Sequence, residues 1–416
     1  MNTTFLAWGI AAAATAGVIT RPFKWPEAIW AVAGALLLVS LGLLPVDLAI
    51  KAIGKGTDVY LFLFGMMLLS EVGRREGLFD WVAVLAVNHA KGSPRKLFLL
   101  VYLVGVVITV FLSNDAAAVV LTPAVFAAAK KAKTHPLPLL FVCAFIANAA
   151  SFVLPISNPA NLVLYGNHTP ALGAWLLRFA VPSLLSIVAT YVLLRWTQRD
   201  ALAGTCESGL EPLELSSSGR VALAGIAVTA VALLAVSAFD IQLGLPTAIL
   251  GAMTALVVLV QERKSPLPMI REISWSVLPL VAALFVLVEM LDHTGVIKAL
   301  ATIVQRAAQG SELATAASAG SIIAIASNLM NNLPAGLIAS STVMQAHSPE
   351  RVIDALLIGV DLGPNLSITG SLATILWLNA IRREGEDVSF MKFLKVGVVV
   401  MLPALVLALG ARILIG

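Results

Sequence analysis

Three adjacent polar residues interrupt a long apolar stretch of the chain. Ser113, Asn114 and Asp115 follow an apolar run that begins at Leu97, and a second apolar run follows them. Polar and ionisable side chains cost free energy at membrane depth, so in such a context they usually face a cavity and carry function. Their hydroxyl, amide and carboxyl groups can bind a small polar solute, and the aspartate can carry a proton.

A second interruption of the same kind lies in the C-terminal half, in the stretch SNLMNNLP. The candidate binding residues in it are Asn328, Asn331 and Asn332. A shift from position 114 to position 332 places Asn114 on Asn332. We call this shift along the sequence the repeat offset. The same offset aligns two further pairs, Glu71 with Glu289 and Gly77 with Gly295. Three chemically matched pairs at one offset predict two homologous halves.

Each half contains another break after the interruption. In SFVLPISNPANLVLYG, Pro155 and Pro159 remove backbone donors and oppose helix formation. The second break is GVDLGPNLSITGSLATILW. Unwound backbone exposes helix ends, whose free N–H and C=O groups bind polar solutes. The candidate binding residues in the two breaks are Ser157, Asn158, Asn161, Gly363, Asn365, Ser367 and Ser371.

Asp115 and Asp361 are the candidate proton-coupling residues. A carboxylate in a partly dehydrated cavity is costly to keep charged, so it can take up a proton and release it. A salt bridge or a helix cap is the alternative role for each. Glu71 and Glu289 lie near predicted helix ends, and we expect solvated or packing roles for them.

The composition identifies a polytopic helical membrane protein. Hydrophobic residues make up 59% of the 416 residues, charged residues only 12%, and the mean hydropathy is +0.94. A globular domain of this length would carry about 25% charged residues. The net charge of +4 is explained by loop lysines and arginines that set topology, not by a nucleic-acid partner. The two cysteines, Cys143 and Cys206, form no cluster of metal-site spacing, so no metal or cofactor is expected.

Apolar runs of about 20 residues predict ten membrane-spanning helices. They are placed at 4–20, 27–45, 57–73, 137–166, 173–195, 219–239, 244–261, 276–291, 352–380 and 393–414. The segments 97–130 and 311–346 contain the polar interruptions, and each is interpreted as a re-entrant hairpin. The segments 76–90 and 294–307 are interpreted as interfacial helices that lead into the hairpins.

The distribution of basic residues predicts the orientation. On this topology 20 of the 27 lysines and arginines lie on one side, which the positive-inside rule makes cytoplasmic. Both termini then face outward. Residues 1–195 and 219–416 form two five-helix repeats of opposite orientation, joined by a cytoplasmic linker at 196–218. Inverted repeats whose broken helices meet at the midplane are typical of secondary transporters.

Missing motifs exclude two classes of enzyme. The sequence has no GxxxxGK[ST], so the chain does not hydrolyse ATP by a P-loop. It has no HExxH, which argues against an intramembrane metalloprotease. We therefore expect a transporter that is not an enzyme.

Three motifs, SNDAAAVVLTP, SNLMNNLP and DLGPNLSITGSLATILWL, resemble the bacterial arsenite efflux pumps of the ion transporter superfamily. The resemblance covers essentially the whole chain. It implies export of arsenite and antimonite across the bacterial cytoplasmic (inner) membrane, driven by inward movement of protons. Some relatives also couple to a separate soluble arsenical ATPase, for which the loop 195–220 would be the docking place.

The residues at the two hairpin tips differ from those of the dicarboxylate carriers in the same superfamily, and this difference bears on the substrate. Dicarboxylate carriers of the same superfamily carry a Ser-Asn-Thr triplet at both hairpin tips. Here Asp115 takes the third place of the first tip, and the second tip reads Asn331, Asn332 and Leu333. This departure argues against a carboxylate substrate.

The chemistry of arsenite fits the candidate residues. Near neutral pH it is mostly uncharged As(OH)3, whose hydroxyls donate and accept hydrogen bonds, as amide and hydroxyl side chains also do. Two cysteines cannot form a trithiolate site within one chain, so we expect a site in which neither Cys143 nor Cys206 binds the substrate. The proton motive force would drive alternating access. The alternatives are a sodium/proton antiporter of the same superfamily and a membrane channel subunit of an ATP-driven arsenite pump.

Overall fold

The apolar runs fold as helices, because a helix satisfies its backbone N–H and C=O groups within the segment, as lipid requires. The structure, a computed structural model, describes residues 3–239 and 241–415, and these contain helices and turns but no strand. The all-α fold class is therefore confirmed. Residues 1, 2 and 416, which include the chain ends predicted to face outward, lie outside the described residues.

Eleven helices precede the linker in the described residues. They are α1 (Thr3–Thr20), α2 (Glu27–Ser40), α3 (Val46–Lys55), α4 (Thr57–Arg75), α5 (Leu78–Ala90), α6 (Pro94–Leu112), α7 (Asn114–Ala116), α8 (Thr122–Lys131), α9 (Pro136–Ala149), α10 (Pro159–Tyr165) and α11 (Leu172–Thr197). A π-helical segment, Ala117–Leu121, joins α7 to α8.

Ten helices follow the linker in the described residues. They are α12 (Ser217–Ala238), α13 (Gly244–Glu262), α14 (Leu267–Glu272), α15 (Val277–His293), α16 (Val296–Gly310), α17 (Glu312–Met330), α18 (Asn332–Ala346), α19 (Glu350–Leu362), α20 (Leu372–Arg383) and α21 (Phe390–Ile415). A 3₁₀ turn, Gly363–Leu366, follows α19 directly.

Two helices were missing from the sequence prediction. The predicted span 27–45 is too long, because α2 ends at Ser40 and a separate helix, α3, begins at Val46. Helix α3 meets α4 at Gly56 with a bend of 48°. Helix α14 is also additional, and its six residues are too few to show a helical period in the sequence.

Seven of the described helices are long and apolar enough to cross a membrane, and two bent pairs could add two more spans. The seven are α1, α6, α11, α12, α13, α17 and α21, and the bent pairs are α3 with α4 and α15 with α16. The chain is thus a multi-pass helical membrane protein. The re-entrant course of the two hairpins depends on where the membrane lies, and it stays a prediction.

Helix boundaries recur at the repeat offset. Shifted by the repeat offset, α6 (Pro94–Leu112) begins and ends at the same positions as α17 (Glu312–Met330). In the same way, α11 (Leu172–Thr197) matches α21 (Phe390–Ile415). Both α6 and α17 begin after a serine, Ser93 or Ser311, whose hydroxyl accepts a hydrogen bond from the backbone of the first turn. The opposite orientation of the two halves in a membrane stays a prediction.

Equivalent helices also make equivalent contacts between the halves. Helix α13 packs against α4, and α2 packs against α15. Gly65 lets α4 approach α13 closely, because a Cβ there would overlap the backbone carbonyl of Thr247. Helix α9 is buried at the centre, where Phe141 and Phe145 pack against aromatic rings of α20 and α21.

Candidate functional site

A cavity of about 620 Å³ reaches the first polar interruption. Its inner end contains Ser113 and Asp115, together with Pro159 and Leu372. Its outer end is charged and more exposed, and it includes Arg74, whose side chain is 44% exposed. The cavity thus leads from an exposed, charged surface of the protein to the predicted hairpin tip.

The backbone at this tip explains why Ser113 and Asp115 reach the cavity. Helix α6 ends at Leu112, and Ser113 adopts φ 100° and ψ 159°. Helix α7 then begins at Asn114, directly after this non-helical residue. Asp115 lines the cavity, and among the described residues it has no ion pair or side-chain hydrogen bond. Asn114 is buried, and its Oδ1 has no hydrogen-bond partner among the described residues.

Ion pairs line the outer part of the cavity. The Glu71 carboxylate accepts hydrogen bonds from Arg74 at 2.7 Å and from Arg75 at 2.7 Å. Glu272 pairs with the same two arginines. The sequence predicted a solvated or packing role for Glu71. The structure corrects this prediction, because Glu71 belongs to an ion-pair cluster with Arg74 and Arg75.

Asp361, the second predicted proton carrier, lies elsewhere and is fully buried on α19. Its Oδ2 accepts a hydrogen bond from the Ser151 hydroxyl at 2.8 Å. Its Oδ1 accepts a hydrogen bond from the Asn158 amide at 2.8 Å. The first broken segment therefore contacts the second through this carboxylate. Asn158 also caps α10, because its Oδ1 accepts a hydrogen bond from the Ala160 backbone N–H at 3.0 Å.

A second set of hydrogen bonds joins the same two segments. The Asn148 amide donates to Asn365 Oδ1 at 3.0 Å, and the Asn365 amide donates to the Phe145 carbonyl at 2.9 Å. The Ser371 hydroxyl donates to Asn148 Oδ1 at 3.3 Å, and Ser371 caps α20. Buried amides that are partnered in this way hold their segments in one arrangement.

The second interruption packs against the second break. Asn328 on α17 donates to the Gly363 carbonyl at 3.0 Å, and its Oδ1 accepts from the Ser367 backbone and hydroxyl. Asn331, at φ 75° and ψ 153°, caps α18 through the Leu333 N–H. The Asn332 backbone N–H donates to the Gly370 carbonyl at 2.9 Å.

Two further predicted residues brace the first break. The Ser157 hydroxyl donates to the Val110 carbonyl of α6 at 3.1 Å. The Asn161 amide donates to backbone carbonyls of the turn before α10, the shortest distance being 2.9 Å to Ser151. Asn161 Oδ1 has no hydrogen-bond partner among the described residues, so one buried acceptor is available here.

Most of the predicted residues thus belong to one of two groups. Ser113 and Asp115 face the cavity, whereas the residues of the two broken segments form a buried hydrogen-bond network. The two groups are close, because Pro159 follows Asn158, Leu372 follows Ser371, and both of these apolar residues line the cavity.

Sequence reasoning missed four polar residues of the site. Asn148 and Ser151 belong to the buried network, and Ser70 and Asn379 line the cavity. Each is a small polar residue within or at the end of an apolar run. That signal was present, but it does not distinguish a residue of a site from one that bridges two helices.

The cysteines lie apart from each other. Cys143 is buried in α9, and its thiol lies 3.6 Å from the Leu139 carbonyl. Cys206 lies in the linker, where its backbone N–H donates to the Gly92 carbonyl at 3.0 Å. Within residues 3–239 and 241–415, no group of three His, Cys, Asp or Glu side chains is placed to hold a metal ion.

Comparison with known proteins gives the family. The sequence profile of the family described as "Citrate transporter" matches residues 15–381. An arsenical pump membrane protein of Escherichia coli (strain K12) is 26% identical over 395 residues, which are 91% of each chain. Another of the same name from Yersinia enterocolitica is 26% identical over 358 residues, 83% of each chain.

Solved structures show the same fold. The YdaH transporter of Alcanivorax borkumensis superposes with a TM-score of 0.56 at 16% identity, covering 99% of this chain and 97% of that one. MtrF of Neisseria gonorrhoeae superposes with a TM-score of 0.56 at 14% identity, covering 88% and 82%. Because the family profile covers most of the chain, this membrane transporter belongs to the citrate transporter family and is related along most of its length to arsenical pump membrane proteins.

Proposed function

We propose that this transporter exports arsenite, as neutral As(OH)3, from the cytoplasm in exchange for protons. The observation that carries the proposal is the similarity to arsenical pump membrane proteins over 91% of both chains. The cavity that ends at Ser113 and Asp115 provides a path for a small solute to the first hairpin tip. Antimonite, as Sb(OH)3, has the same shape and hydroxyl groups, and we include it as a substrate.

The charge of the cavity favours a neutral substrate over a carboxylate. Its lining contains four acidic side chains and two arginines. The acidic residues are Glu71, Asp115, Glu272 and Glu384, and the arginines are Arg74 and Arg383. Arg75 also pairs with Glu71 and Glu272, so four acidic groups stand against three arginines. This balance offers no net positive charge to a polyanion such as citrate, which neutral As(OH)3 does not need. Membership of the citrate transporter family nevertheless makes carboxylate transport the second candidate function.

Hydrogen-bonding groups near the inner end suit As(OH)3. Asn114 and Asn161 each have an amide oxygen that accepts no hydrogen bond among the described residues. A hydroxyl of As(OH)3 can donate to such an oxygen and accept from a neighbouring amide. We propose that Ser113, which lines the cavity, contacts the substrate first, and that Asn114, Asn161 and the other buried predicted residues contact it when the segments move.

Protons would be carried by Asp115 and Asp361. In this conformation Asp115 faces the cavity, while Asp361 is enclosed by Ser151 and Asn158. We propose that the carboxyl groups take up protons from outside and release them inside as access alternates. Exchange of a neutral solute for a proton moves charge inward, so the membrane potential adds about 2.3 kcal/mol per charge per 100 mV to export.

The proposal also includes the arrangement of the two halves and the orientation of the protein in the membrane. The helix boundaries that recur at the repeat offset support two halves, at 1–195 and 219–416, joined by the linker at 196–218. We place the basic side, and with it the open cavity, in the cytoplasm of a bacterium, and both termini outside. The structure would then be open to the cytoplasm, the side from which arsenite must enter.

The test is transport in liposomes that contain purified protein, an imposed pH gradient and no ATP. Arsenite movement and lumenal pH are followed together, with radiolabelled citrate and a sodium-free buffer as separate arms. We expect arsenite to move opposite to protons, without sodium and without movement of citrate. Asp115→Asn should stop both fluxes, whereas the control Asp47→Asn, at an exposed aspartate of α3, should transport normally.

Other outcomes would identify the alternatives. Arsenite that moves only down its own gradient would indicate a channel subunit that needs an ATPase at the loop 195–220. A sodium requirement would favour the sodium/proton antiporter, and citrate flux would favour the second candidate. Normal coupled transport by Asp115→Asn would remove Asp115 from the proton path.

A further inference from the structure

Exposed apolar stripes on α6 and α11 converge at one end of the protein. On α6 the exposed residues recur every fourth position, at Leu99, Leu103 and Val107. On α11 the exposed stripe includes Leu184, Val188 and Val192. Exposed apolar faces on helices long enough to cross a membrane are surfaces that contact lipid.

A pocket of about 270 Å³ lies where these two stripes end. It is lined by Arg95 at the start of α6, by Val192, Arg195 and Trp196 of α11, and by Arg199 and Leu202 of the linker. Three guanidinium groups and an exposed tryptophan therefore surround a space that is continuous with the lipid-facing surface. Tryptophan is enriched at the depth of the lipid headgroups.

The positive charge of this pocket is largely uncompensated. Arg199 has a carboxylate within 4 Å, that of Asp200 at 3.7 Å, and Asp200 is 96% exposed. Arg95 and Arg195 have no carboxylate partner among the described residues. Arg195 stacks on Tyr191, with its guanidinium 6.0 Å from the ring, which orients the group and leaves its charge in place.

We propose that this pocket binds the phosphate headgroup of an anionic phospholipid. Guanidinium forks match the oxygens of a phosphate group, and basic pockets at a membrane face bind anionic headgroups. The acyl chains would lie along the apolar stripes of α6 and α11. A lipid fits better than a free anion, because the stripes lead directly from the pocket. The inference does not depend on the proposed arsenite transport.

The test measures lipid binding to delipidated protein in a neutral detergent by native mass spectrometry. The probes are dioleoyl phosphatidylglycerol, dioleoyl phosphatidylcholine and inorganic phosphate. We expect phosphatidylglycerol to bind, and the variant R95Q/R195Q/R199Q to weaken that binding at least about tenfold. The control R271Q/K392Q/K395Q removes the same charge at exposed positions outside the pocket, and it should bind as the unmodified protein does.

Three results would overturn the proposal. One is equal affinity of the pocket variant and the control for phosphatidylglycerol. Another is displacement of the lipid by inorganic phosphate at matched concentration, which would indicate a free-anion site. A third is equally tight binding of phosphatidylcholine. If the triple variant does not fold, Arg195→Gln alone should weaken binding about fivefold, and an unchanged affinity would again contradict the proposal.

Discussion

The two hairpin breaks have nearly the same backbone but opposite surroundings. Ser113 and Asn331 are equivalent at the repeat offset, and they share a positive φ with an extended ψ. The first break faces a cavity of about 620 Å³. The second is packed against the second broken segment, where the Asn332 N–H donates to the Gly370 carbonyl. A repeated local structure thus faces a cavity in one half and is packed against a neighbouring segment in the other.

The aspartates show the same contrast. Asp115 faces the cavity, whereas Asp361 accepts two hydrogen bonds in the protein interior. Another buried aspartate of the second half, Asp354, is held by Arg412 and Tyr165. The positions equivalent to Asp354 and Arg412 in the first half are Pro136 and Leu194, which carry no charge. Asp354 and Asp361 of the second half are therefore buried and partnered, whereas Asp115 of the first half faces the cavity.

The largest effect is expected from Arg412→Met. Arg412 is 4% exposed and contacts Asp354 at 2.6 Å, so its loss leaves a buried carboxylate with weaker partners. We expect a loss of about 3–5 kcal/mol of stability, measured as thermal unfolding in detergent. The double variant D354N/R412M removes both charges, keeps an acceptor for the Tyr165 hydroxyl and should recover most of the loss. If Arg412→Met unfolds at the same temperature as the unmodified protein, the second half does not depend on this buried ion pair, and the contrast between the halves is wrong.

Asp361→Ala and Asp115→Ala compare the two proposed proton carriers directly. The first change removes the acceptor of Ser151 and Asn158, and we expect it to cost about 3 kcal/mol. The second removes no hydrogen bond, and we expect it to cost under about 0.5 kcal/mol. Thermal unfolding measures both, and both variants should lose proton-coupled export. Equal stability losses would show that Asp115 also has a structural role.

Substitution by glycine at Ser113 and Asn331 tests whether the positive φ at these two positions strains the backbone. The conformation of Ser113 and Asn331 is one that glycine adopts without strain, so Ser113→Gly should stabilise the fold by about 1 kcal/mol. Asn331→Gly should gain less, because Asn331 Oδ1 accepts a hydrogen bond from the Leu333 N–H at 3.3 Å. Chemical denaturation in detergent can measure the difference. A larger gain in stability for Asn331→Gly than for Ser113→Gly would contradict this prediction.

The smallest effect is expected at the cysteines. Cys143 is the residue that the repeat offset places on Asp361, and it is packed as a small apolar side chain. The variant C143A/C206A should export arsenite at a rate within about twofold of the unmodified protein, if hydrogen bonds rather than thiolates bind the substrate. Complete loss of export with the fold intact would show that a thiol takes part.

The sequence by itself was enough for the helical membrane fold, for the two polar interruptions and for the break that follows each of them. Hydropathy depends on composition over about 20 residues, and prolines and glycines act on their own backbone, so both signals are local. Local signals failed for α3 and α14, which are too short or too close to another helix to be separated by hydropathy.

Only the tertiary structure decided which polar residues act together. Asn148 and Asn365 are 217 residues apart, and Asp354 and Arg412 are 58 apart, yet each pair is in direct contact. The structure also decided that Asp115 faces a cavity while Asp361 does not. Hydrogen bonds and cavities depend on which helices pack together, and that choice is made by contacts between segments far apart in the chain.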